Sequence, residues 1–80
     1  MDDARIHEMI EELVAEEHRL WDEEAVGGTT EAARERLAEV KVALDTCWDL
    51  LRQRRAYAEH GLDPDSAKPR DPSTVENYLQ

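Results

Sequence analysis

The strongest constraint on this chain is a spacing. Ile6, Ile10, Leu13, Glu17 and Leu20 alternate steps of four and three, and Ala33, Leu37, Val40, Leu44, Cys47 and Leu51 repeat the rhythm. Each series puts one stripe on one side of a helix, the seam along which two helices pack lengthwise. Between them stand Gly27-Gly28, which permit the positive φ of a helix end and a tight turn. A connection this short makes the two helices antiparallel neighbours. The expected fold is therefore all-α: an antiparallel, coiled-coil-like hairpin over residues 1–61. Helix one should cover about 4–24, the turn 25–30, and helix two about 31–60.

The second helix carries the densest apolar block, LDTCWDLLRQRRA at residues 44–56, uninterrupted by Gly or Pro. Trp48 flanks its seam, and Met9, Val14 and Trp21 widen the stripe of helix one. Glu8, Glu11, Glu12, Glu16 and Glu23 fall off the seam and should face water. Glu17 falls on it, so it needs a cation or donor unless it reaches the rim. Asp2 or Asp3 should cap the first helix and Thr29 or Thr30 the second. Gly61 should stop the second helix, with Arg54, Arg55 and His60 near the negative end of its dipole.

The two helices differ in length: about 21 residues, roughly 32 Å, against about 30 residues, roughly 45 Å. Folding about the glycines sets Leu20 beside Ala33–Leu37, Leu13 beside Val40, Ile10 beside Leu44 and Ile6 near Trp48. The end of helix two, from about Arg52 to His60, then projects beyond the first helix and lacks a partner unless the tail returns. That tail, residues 62–80, contains Pro64, Pro69 and Pro72 and should be extended or mobile as far as Pro72. Ser73-Thr74-Val75-Glu76 then has the spacing of a capping box and should open a short helical turn through Leu79.

Charge narrows the function. Twenty acids against ten bases give −10. Residues 1–24 hold a balance of −8 and residues 25–80 one of −2, which suits two helices that attract each other. A net −10 opposes non-specific nucleic-acid binding, which depends on cations neutralising phosphates. The most apolar stretch, Ile6 to Leu20, is charged every second or third residue and cannot span a bilayer. Cys47 is the single cysteine, so no disulfide staples the fold, and with no signal peptide the expectation is a cytoplasmic protein. A chain of eighty residues makes one domain, with a core that is marginal without a staple or a partner.

Candidate chemistry is sparse. His7/Glu11, Glu8/Glu12, His18/Asp22 and Asp45/Asp49 are i, i+4 pairs that invite a metal. A carboxylate-bridged di-metal bundle uses Glu-x-x-His, however, and Ala4 and Ala15 stand three residues before His7 and His18. No metal or other cofactor is expected. Cys47, on the apolar seam, reads as a small buried hydrophobe rather than a nucleophile. Asp45 and Asp49 lack an enclosed pocket and should pair with Lys41 and Arg52. The chain is not expected to be an enzyme.

Arg52, Arg54 and Arg55 point in three directions around helix two. They should pair with Asp2, Asp3 and Glu8 or with a neighbouring chain; alternatively they recognise an acidic or phosphorylated ligand, for which forked guanidinium donors are suited.

The segment Ile6 to Leu20, the string WDLLRQRRA, Asp63-Pro64-Asp65 and the closing Val75-Glu76-Asn77-Tyr78-Leu79 together resemble a family of small actinobacterial proteins, domain of unknown function 2630. The likeness runs over nearly the whole chain. It implies a short helical cytoplasmic protein and attaches no activity to it.

A lone hairpin leaves Met9, Val14, Trp21 and Trp48 partly bare, and a second copy would bury them in a homodimeric four-helix bundle. The core and interface are assigned to Ile6, Ile10, Leu13, Leu20, Trp21, Leu37, Val40, Leu44, Trp48 and Leu51. Partner or ligand contacts are assigned to Arg52, Arg54, Arg55, Tyr78 and Leu79. The function expected is a non-enzymatic interaction or adaptor module. A regulator binding an acidic or phosphorylated ligand through the arginines is the alternative, and a carboxylate metal bundle a more remote one.

Overall fold

In the computed structural model, residues 1–28 and 30–79 are described, without the side chains of Tyr78 and Leu79. Helix α1 spans Asp3–Ala25 and α2 spans Glu31–Glu59; a short 3₁₀ turn, Pro64–Ser66, and helix α3, Pro72–Leu79, follow. No strand occurs among the described residues.

The helix ends follow from local hydrogen bonding. Asp2 caps α1, its Oδ1 accepting from the Arg5 N–H at 2.8 Å. Thr30 caps α2, its Oγ1 accepting from the Ala33 N–H at 3.1 Å; Thr29 lies outside the described residues. Both long helices end in the same way. Gly27 and Gly61 take φ of +77° and +73°. That conformation lets the Gly28 N–H donate to the Glu23 carbonyl and the Leu62 N–H to the Tyr57 carbonyl, closing the last turn.

The α1–α2 seam is the apolar core. Ile6, Ile10, Leu20, Val40, Leu44 and Cys47 are buried along it, and Leu13, Leu37 and Leu51 are half-buried against the same cluster. Full burial of one such side chain stabilises by about 1.5–3 kcal/mol, so these few residues dominate the hairpin. Contacts outside the core keep the expected register: Glu16 meets Arg36, His7 meets Trp48, and Asp3 meets Arg54.

Some expectations need correcting. Glu16, expected in water, forms the inter-helix ion pair, Arg36 Nε and Nη2 donating to its two oxygens at 2.7 and 2.8 Å. Glu17 is half-buried and has no such partner among the described residues. The reason is the breadth of the seam: one residue round the helix, a long carboxylate reaches the groove edge and a guanidinium across it. Trp21 and Trp48, assigned to core and interface, are 43% and 45% exposed within the single chain, which leaves them partly bare as expected of a lone hairpin. Leu50, left out of the seam, is buried, because the tail covers the side of α2 that α1 does not.

For the tail, the sequence left the return open. The tail comes back along α2 rather than trailing away. Leu62 bonds back to Tyr57, Asp65 meets Arg54, the Lys68 carbonyl accepts from Gln53, Arg70 reaches Asp49, and Glu76 lies beside Asp45. The overhang therefore has an intramolecular partner. Pro64 starts the 3₁₀ turn, which Asp63 caps by accepting from the Asp65 N–H. At α3 the cap is Asp71 rather than Ser73: its carboxylate accepts from the Ser73 N–H at 2.9 Å and the Ser73 hydroxyl at 2.6 Å. Pro72 thus takes the first helical position, where its missing N–H costs nothing.

Helix α2 is the shared element. α1 lies on one flank, the 3₁₀ turn and α3 on another, and α1 and α3 do not pack on each other among the described residues. The molecule measures 50 × 25 × 15 Å.

Candidate functional site

Two of the surface depressions that this arrangement leaves separate residues that the sequence placed in one stripe. The larger, about 860 Å³, runs between α1 and α2. Met9, Leu13, Val42, Ala43 and Cys47 contribute its apolar lining, and Pro72 lies on its edge. Its rims are charged but internally compensated. Arg5 stands 3.0 Å from Glu8 and 3.8 Å from Glu12, and Arg36 lies between Glu16 and Glu39. Hydrogen bonding to Arg36 holds the Glu16 carboxyl below its ordinary range, so both ends of that pair stay ionised at neutral pH. Burial pushes the Cys47 thiol up, which removes thiolate nucleophilicity.

The second depression, about 520 Å³, lies at the other end of α2 and is lined by His7, Trp48, Leu51, Arg52, Arg54 and Arg55, with Asp3, Ala58 and Pro64 at its edges. Trp48, Arg52 and Arg55 recur at i, i+4 and i+7 and so share a helix face. The His7 ring meets Trp48 edge-on, centroids 6.2 Å apart at 78°. The three arginines are not equivalent. Arg52 and Arg55 are exposed and only loosely engaged, 3.7 Å from Asp49 and 3.6 Å from Glu59.

Arg54 is buried and pairs with Asp3, as the first of the two expectations had it, with the tail adding acceptors that the sequence did not point to. Its Nε donates to Asp3 at 2.5 Å, and its Nη1 to Asp65 at 2.9 Å and the Pro64 carbonyl at 3.2 Å. One guanidinium thus ties the start of α1 and the 3₁₀ turn to α2. Those carboxylates raise its pKa further and keep it charged. Two of the arginines are exposed and loosely paired; the third is chiefly a structural tie.

Asp49 is the residue that sequence reasoning undervalued. It is only 1% exposed, and Arg70 clamps it with Nε at 2.9 Å and Nη2 at 2.8 Å while Gln53 donates at 3.0 Å. The expected partner, Arg52, is the more distant cation. Lys41 does not pair with Asp45, which instead faces Glu76 from the tail. The available signal was an acid off the seam of α2 and an arginine just after Lys68-Pro69, but only a returning tail joins them. Of the remaining contact candidates, Tyr78 and Leu79 end α3, and their side chains lie outside the described residues. Among the described residues no three His, Cys, Asp or Glu groups converge as a metal site would require. Among the described residues, no helix is long and apolar enough to cross a membrane.

What fold and surface define is a small all-helical chain, a helical hairpin with a tail strapped along its second helix. It belongs to the family described as "Protein of unknown function (DUF2630)", whose model matches residues 2–80. The chain is 44% identical over 70 residues to the uncharacterized protein Rv0898c of Mycobacterium tuberculosis, covering 86% of this chain and 80% of that one. The uncharacterized protein Mb0922c of Mycobacterium bovis matches with the same figures. No solved structure gives a significant match.

Proposed function

We propose that this chain is a non-enzymatic interaction module of the cytoplasm that first recognises a second copy of itself, pairing hairpins into a four-helix bundle. The observation that carries the reading is the α1–α2 groove, with apolar lining and charges already compensated along its rims. A face of this kind is a candidate interface, and α3, which among the described residues does not pack on α1 and meets the groove through Pro72 alone, leaves most of it uncovered. A two-fold axis across the groove exchanges its ends, bringing Arg5 of one copy toward the Glu16–Glu39 end of the other. An isologous contact needs only this one patch. The lone Cys47 is in keeping with a reducing compartment.

Sedimentation equilibrium over a dilution series tests this. The wild type should sediment near 18 kDa, twice the 9.2 kDa chain. Ala43→Glu, which puts an unpaired charge in the groove, should give a monomer of unchanged helicity, and Trp48→Ala, outside the groove, should leave the mass alone. A wild type that stays at 9.2 kDa throughout overturns the proposal.

One observation favours a second reading, recognition of an acidic or phosphorylated ligand at the arginine end. The buried Arg54 has no acceptor at Nη2 among the described residues, although a buried charged donor left unpaired is costly. With Arg52 and Arg55 loosely held nearby, an incoming anion finds three guanidinium groups. Inorganic phosphate or pyrophosphate should raise the melting temperature of the wild type and not of the Arg52→Ala/Arg55→Ala double variant. No shift with either anion would sink this reading.

A further inference from the structure

We infer that the cleft at the arginine end binds a small ligand carrying a phosphate on a flat ring system, the class to which nucleoside monophosphates belong. This rests on the second reading above and adds what the arginines alone do not specify. Trp48 keeps 45% of its surface exposed on the wall of the same cleft, and its ring neighbour, His7, stands nearly perpendicular to it rather than stacked on it. An aromatic side chain stacks with a planar ring and contributes far more than a polar wall would. Further along the same face, Arg52 and Arg55 follow at the next two turns, so the site runs from aromatic to cationic along α2.

That order matches a ligand with a ring at one end and a phosphate at the other. The phosphate would accept from Arg55 and Arg52 and from the unused Nη2 of Arg54. The acids that now engage the two exposed arginines stand 3.6 and 3.7 Å away; the Arg55–Glu59 pair is exposed at both ends and worth little, and Asp49, though buried, keeps Arg70 and Gln53 as its closer donors when Arg52 turns to a phosphate. Arg54 itself is held in place by Asp3, Asp65 and the Pro64 carbonyl, a fixed donor rather than a searching one. The cleft's 520 Å³ falls within the range of small-molecule sites.

The chain's overall charge selects a small ligand over a polymer. A net −10 repels a polyanion that must lie along much of the surface. A single phosphate meets a local set of charges, three guanidinium groups with the carboxylates of Asp3, Asp49, Glu59 and Asp65 that pair them, since charges beyond about 8–10 Å are screened at physiological salt.

The test uses the full chain carrying Trp21→Phe, which leaves Trp48 as the sole tryptophan. Its fluorescence is titrated with adenosine monophosphate, adenosine and inorganic phosphate. Saturable quenching is expected with the nucleotide, with adenosine and phosphate each weaker by about tenfold or more. Arg52→Ala and Arg55→Ala should each weaken the nucleotide by about tenfold while leaving far-ultraviolet circular dichroism unchanged. Both side chains are exposed, so folding is not at issue. If phosphate, followed by melting, binds as tightly as the nucleotide, the arginine reading stands and this inference falls. If adenosine binds as tightly as the nucleotide, the phosphate assignment fails. If none of the three binds, both are overturned.

Discussion

Helix α2 is held on two sides by different physics. Toward α1 the contact is apolar: Ile6 and Val40 are fully buried, and charges such as Glu16–Arg36 stay on the rim. Toward the tail the apolar contribution is small, chiefly Ala67 and Val75, and the specific contacts are polar. Asp49 is buried under Arg70, and Arg54 joins Asp65. The first seam is tolerant, because apolar burial is non-directional and scales with area. The second is exacting, because a buried carboxylate must find its donors or cost several kcal/mol. The hairpin should therefore be the more robust unit, and the tail a strap whose hold depends on a few charged groups.

The largest test of this contrast is Ile6→Ala. It should cost about 3–4 kcal/mol and appear in urea unfolding as a loss of the whole cooperative transition, because it opens a cavity in the hairpin core. A loss confined to the tail would reverse the assignment. Arg70→Ala comes next. It leaves Asp49 buried with only Gln53 and the distant Arg52 as donors and should cost about 2–3 kcal/mol. Amide protection should fall at Val75 while that of Val40 persists; equal loss at both would mean that the two seams are one unit.

A smaller effect is expected from pH. Burial, and then the neighbouring Asp45 carboxyl, push Glu76 above its ordinary 4.5. Its contribution to docking α3 is thus fully present below 4.5 and lost as pH rises through the raised value. Asp71 is held below its ordinary 3.8 by the Ser73 hydroxyl and N–H, so its contribution is present above 3.8 and lost as pH falls through the lowered value. Protection at Val75 should therefore peak between 3.8 and 4.5 and decline toward neutrality. Glu76→Gln should remove the decline on the neutral side, and an unchanged profile would place the pH sensitivity elsewhere. Least of all, Arg36→Ala should shift stability only slightly, since its pairs with Glu16 and Glu39 lie at the groove rim. A larger loss in thermal melts would move that pair from the rim into the core.

Much of the first seam is legible in the chain as written. Steps of four and three mark Ile6, Ile10, Val40 and Leu44, and Gly27 and Gly61 mark the two helix ends, because periodicity and positive φ are local properties. Helix boundaries follow to within a residue or so. The site is less legible. Arg52, Arg54 and Arg55 stand out as a cluster, but nothing local distinguishes the two exposed members from the one that Asp3 and Asp65 take up. Nor does the sequence separate Met9, in the groove, from Trp48, in the cleft.

By itself, then, the sequence determined that this protein is helical, where its hairpin turns and which residues pack the main seam, since each follows from neighbours within a few positions. Only the tertiary structure decided that the tail comes back. Three prolines and short polar residues specify no path, and the return is set by partners far away in sequence: Asp49 with Arg70, Gln53 with Lys68, and Arg54 with both Asp3 and Asp65. Bonds of that kind exist only once both groups are brought together and withdrawn from water, which no local pattern encodes.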